Sequence, residues 1–96
     1  MKAEEILMEA INKCGKEHQI DICIEEMSEL TKALIKDRRH GRREKQDWLY
    51  IIEELADVKI MIRQMEIIFR CEEKVNEQID FKVNRLKERL ENNGNI

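Results

Sequence analysis

WLYIIEELADVKIMIRQMEIIF, residues 48–69, places apolar residues at Ile51, Leu55, Val58, Ile62, Met65 and Phe69. Spacings of three and four are the period of an α-helix with one buried face. Leu49, Ile52, Ile60, Met61, Ile67 and Ile68 lie off that stripe, so this helix is apolar over more than one side. A chain of 96 residues buries only a modest core by itself, and the natural extra cover is another copy of the chain.

The neighbouring segments read as further helices. KDRRHGRREKQD, residues 36–47, has no apolar residue and centres on Gly41, which predicts a loop, with Asp47 placed to cap the helix that follows. Before it, Ile20, Cys23, Met27, Leu30 and Leu34 form the stripe of a helix from about Ile20 to Lys36. An earlier helix runs from about Ala3 to Lys16, with Gly15 near its end. After Phe69 the series Val75, Ile79, Val83, Leu86 and Leu90 is again helical but out of phase, which implies a turn near residues 70–73. ENNGNI, residues 91–96, reads as a frayed end.

Composition agrees. There is no proline, and 41% of residues are charged against 42% apolar, a balance that favours amphipathic helices over a sheet. The expected fold is all-α: residues 1–96 form one domain, a small four-helix-type bundle completed by oligomerisation as a homodimer or homotetramer. The net charge of −3 does not favour nucleic acid as a partner. No stretch is long and apolar enough for a signal peptide or a membrane span, so a cytoplasmic protein is expected. Cys14, Cys23 and Cys71 contain no CxxC pair and read as core thiols. His18 and His40 read as surface residues.

The chemistry lies in a repeated pattern. IEEMSEL, residues 24–30, and IEELADV, residues 52–58, carry acids at matching places. Glu26 with Glu29, and Glu54 with Asp57, are three apart, so each pair shares a helix face, at one flank of its apolar stripe. Antiparallel packing of the two helices lets the four carboxylates converge. Crowded, half-dehydrated carboxylates take up protons unless a cation compensates them, and all-oxygen donors suit Mg²⁺ or Mn²⁺. A di-iron bundle needs Glu-x-x-His, which neither His18 nor His40 completes. No glycine-rich phosphate loop is present.

At these residues the chain resembles the MazG-like family of all-α nucleoside triphosphate pyrophosphohydrolases, which includes relatives of the dimeric dUTPases. That family is recognised by ExxE on one helix and ExxD on the next, here EEMSE at 25–29 and EELAD at 53–57. The resemblance runs from about residue 20 to residue 90, because IDFKVNRLKERL, residues 79–90, is similar to the basic final helix of such proteins. It implies Mg²⁺ ligands at Glu26, Glu29, Glu54 and Asp57. Glu25 and Glu53 are assigned to a second metal ion or to orienting the attacking water. The implied reaction is hydrolysis of an NTP or dNTP to the monophosphate and pyrophosphate.

Lys82, Arg85 and Arg89 form a basic stripe on the last helix, and Lys82 and Arg85 are the candidate phosphate ligands. Arg38, Arg39, Arg42 and Arg43 close over a triphosphate, touch nucleic acid, or belong to a solvated connector, the usual role of a charge run in a loop. Trp48 and Tyr50 read as core or interface residues. Two function classes stand open: the Mg²⁺-dependent hydrolase, and a non-enzymatic oligomeric helical module or nucleotide-binding regulator.

Overall fold

The computed structural model describes residues 2–93, and among them there are four helices and no strand. They are α1 (Ala3–Cys14), α2 (Lys16–Arg39), α3 (Lys45–Phe69) and α4 (Glu72–Asn93). The all-α expectation holds. α4 continues through the first residues of the expected frayed end, and the remainder of that segment, residues 94–96, lies outside the described residues.

Gly15 serves two helices at once. At φ 92° it takes a backbone conformation that strains any other side chain, its N–H closes α1 on the Ile11 carbonyl, and its own carbonyl accepts from Gln19 N–H. α2 therefore begins at Lys16, ahead of its first apolar residue. Lys, Glu and Gln are good helix formers, and a cap, unlike a stripe, does not need them to be apolar.

At its other end α2 runs on through Arg39, with Lys36, Arg38 and Arg39 in the last turn, where cations favour the helix dipole. The loop expected over residues 36–47 shrinks to 40–44. It closes on Gly41 (φ 71°), with Gly41 N–H on the Arg38 carbonyl at 3.1 Å and Arg42 N–H on the Asp37 carbonyl at 2.9 Å. The same paired bonds end α3: Arg70 N–H reaches Ile67 at 3.3 Å and Cys71 N–H reaches Glu66 at 3.1 Å. There Arg70 takes the left-handed conformation (φ 52°, ψ 49°), so the turn expected near residues 70–73 forms without a glycine.

α2 and α3 pack antiparallel. Gln19 meets Gln64, Glu26 meets Glu54 and Asp57, Glu29 meets Tyr50, and His40 meets Asp47, so partners descend α3 as they ascend α2. The inner contact is made of Cys23, Ala33, Val58 and Met61, with the buried Gln19 amide donating to the Gln64 carbonyl oxygen at 2.7 Å. α1 lays Ile11 against this pair, and Arg63 of α3 bonds Glu4 of α1, Glu66 at 3.3 Å and Glu72 of α4 at 3.4 Å.

The apolar stripes read from periodicity are not the faces this chain buries. Met27, Leu34, Leu55, Ile62 and Phe69 are each about half exposed or more, while Asp47, Glu54 and Gln64 are buried. Periodicity reports that a face is apolar, not what covers it. Trp48, at 58% exposure, is likewise not a core residue of the chain. Of the thiols, Cys23 is buried, Cys71 half-buried and Cys14 exposed, so the expectation of core thiols fails for Cys14.

α4 buries none of its described side chains and approaches only α3, beside the turn that joins them. The radius of gyration is 16.9 Å, against roughly 12–13 Å for a compact chain of this length. Ile79, Phe81, Val83, Leu86 and Leu90 all stand in solvent. No helix among the described residues is long and apolar enough to cross a membrane.

Candidate metal centre

Glu26 comes from the middle of α2, and Glu54 and Asp57 from the facing stretch of α3. The antiparallel pairing sets the first acidic motif against the second. One carboxylate oxygen from each of the three lies within 4.8 Å of the others. Glu54 is 8% exposed, and its Oε2 is buried with no hydrogen-bond partner. A buried carboxylate oxygen left bare is costly, and a native fold retains one where something else satisfies it.

The electrostatics fit that crowding. Burial, then the charges of Asp57 and Glu54, pushes the Glu26 carboxyl above its ordinary range. Burial, then Asp57, Glu29 and Glu53, does the same to Glu54. Both sites favour a proton or a cation over a bare charge.

Glu29, the expected fourth ligand, stands just outside the cluster. Its Oε2 accepts from the Tyr50 hydroxyl at 3.3 Å and its Oε1 from Lys32 Nζ at 3.3 Å. Burial and the surrounding charges of Glu54 and Glu29 raise the Tyr50 phenol, which therefore stays a protonated donor. Glu25 and Glu53 are exposed and outside the cluster, although their charges are felt at Glu26 and at Glu54 respectively. Lys82 and Arg85 are not brought to the carboxylates within one chain, because α4 makes no approach to α2. Arg85 lies over the Phe81 ring instead, 5.8 Å from its centre.

Comparison with protein-family models, with curated proteins and with solved structures gave no match to this chain.

Two polar contacts escaped the sequence pattern. His40, expected at the surface, places Nδ1 2.6 Å from Oδ2 of Asp47, which is 4% exposed. Asp47 is thus inside the first turn of α3 rather than its cap; Glu44 takes the capping position without a side-chain bond. The pair spans a left-handed turn, a geometry with no fixed period in sequence. Tyr50 was visible as one helical turn ahead of Glu54, but only the packing of α2 puts Glu29 within its reach.

Proposed function

We propose that this chain is a Mg²⁺-dependent nucleoside triphosphate pyrophosphohydrolase of the MazG-like kind, cytoplasmic, converting an NTP or dNTP to the monophosphate plus pyrophosphate. The observation that carries the proposal is the unpartnered Glu54 Oε2, buried beside Glu26 and Asp57 where two copies of one acidic pattern face each other. The donor set fits the ion: oxygen ligands only, few enough to leave room for water and phosphate. Mn²⁺ suits the same donors.

Glu26, Glu54 and Asp57 hold the cation, with Glu29 the adjacent fourth carboxylate. When bound, Mg²⁺ supplies positive charge against the phosphates and lowers the pKa of water. By the same reading Glu25 and Glu53, both exposed, would reach a second metal ion or orient the attacking water. Lys82 and Arg85 bind phosphate from the α4 of another copy, since the α4 of the same chain stands away from α2. Assembly as a homodimer or homotetramer also covers the apolar row on α3 and the bare faces of α2 and α4.

Those exposed apolar faces favour a second reading, an oligomeric helical interaction module or nucleotide-binding regulator without turnover. Chromatography of NTPs and dNTPs incubated with the purified protein, with Mg²⁺ and with chelator, separates the two. Magnesium-dependent monophosphate and pyrophosphate are expected. Binding without product supports the regulator, and neither binding nor product from any nucleotide overturns the assignment.

A further inference from the structure

Glu29 lies one turn beyond Glu26 on the same face of α2, beside the three-carboxylate cluster, and each of its oxygens accepts a hydrogen bond. The two holds differ in kind. Lys32 is on the same helix, three residues on, with its side chain 70% exposed, so its bond to Oε1 is screened and readily surrendered. Tyr50 is on the opposite helix, one turn before Glu54, and is half-buried. A phenol is rigid beyond two torsions, so its hydroxyl is aimed by the packing of α2 on α3.

We propose that Tyr50 is a positioning residue for the carboxylate site: its hydroxyl anchors Oε2 of Glu29 and presents Oε1 as a fourth oxygen donor to the cation. The proposal rests on the metal reading above. Lys32, on Oε1, is a displaceable counter-charge. Partners that fix a ligating carboxylate from outside typically contribute about 10–100-fold to metal affinity.

Mn²⁺ binding to the full chain, followed by the paramagnetic resonance of free Mn²⁺, tests this without reference to turnover. Tyr50→Phe keeps the ring and removes the hydroxyl, and is expected to weaken Mn²⁺ binding about tenfold, with the melting midpoint in chelator close to that of the parent. Glu29→Gln is expected to weaken binding at least as much. The double variant should bind no more weakly than Glu29→Gln alone, because the hydroxyl acts only through Glu29. Lys32→Gln should not weaken binding.

Tyr50→Phe binding Mn²⁺ like the parent, or losses at Tyr50 and Glu29 that add, would overturn the positioning role while leaving a site at Glu26, Glu54 and Asp57. If the parent and Glu54→Gln bind Mn²⁺ equally poorly, the metal reading itself falls, and the role of Tyr50 with it.

Discussion

Two rows of α3 invert the usual relation between polarity and burial. Asp47, Glu54 and Gln64 point into the chain with Val58 and Met61, whereas Trp48, Ile52, Leu55, Ile62 and Phe69 look out. The inner row costs stability, because charge and amide groups lose water there, and it is recovered only where each finds a partner. Gln64 has Gln19, and Asp47 has His40. Glu54 Oε2 has none, and on that the proposed cation site rests. The outer row lacks cover rather than partners, and its apolar surface is what the proposed second copy would remove from water.

Breaking the inner row at Glu54 should have the largest effect. Glu54→Gln is expected to lower magnesium-dependent hydrolysis by at least about a hundredfold, with the far-ultraviolet circular dichroism unchanged. Full activity in the purified variant would remove Glu54 from the site. The outer row is tested by Leu55→Asp with Ile62→Asp, which should weaken self-association by about a hundredfold or more in sedimentation equilibrium. An unaltered oligomer would mean that another face makes the contact, and a parent that is already monomeric would remove the proposed assembly.

Smaller effects sharpen the contrast between satisfied and unsatisfied inner groups. Gln64→Ala leaves the Gln19 amide buried without a partner and should cost about 1–3 kcal/mol in denaturant titrations. Replacing both glutamines by leucine should recover most of that loss. Glu26 and Glu54, by contrast, hold protons more tightly folded than unfolded. Their contribution to stability is therefore greatest below the ordinary glutamate value and falls as pH rises through the window between the ordinary and the raised values. In chelator the melting midpoint should fall across that window, less so in Glu26→Gln, and Mg²⁺ should flatten the slope. Lys87→Ala, which removes the exposed 3.9 Å pair with Glu91 on α4, should shift the midpoint by less than about 2 °C.

The helices and their turns were readable because they are local. Gly15 and Gly41 mark two of them, and the phase break after Phe69 marked the third, although Arg70 there does what glycine usually does. The acidic pairs were readable as well, since a spacing of three fixes a shared face on any helix. The choice of face was not. Met27 and Leu55 look like stripe centres in sequence, but α2 and α3 meet through Cys23 and the small Ala33, which let the helices approach with Glu54 between them. Side-chain size across two distant segments decides that, and no period within either segment records it.

The sequence by itself determined an all-helical chain, the approximate helix positions, the turn at residues 70–73 and two acidic patterns in matching register, because each follows from neighbours within a few residues. Only the tertiary structure decided that Glu26, Glu54 and Asp57 converge, that Tyr50 bonds Glu29, that His40 meets Asp47, and that α4 stands clear of α2. Those are outcomes of how two antiparallel helices settle against each other. A rotation of α3 by a single residue, about 100°, would bury Leu55 in place of Glu54 and leave no carboxylate site.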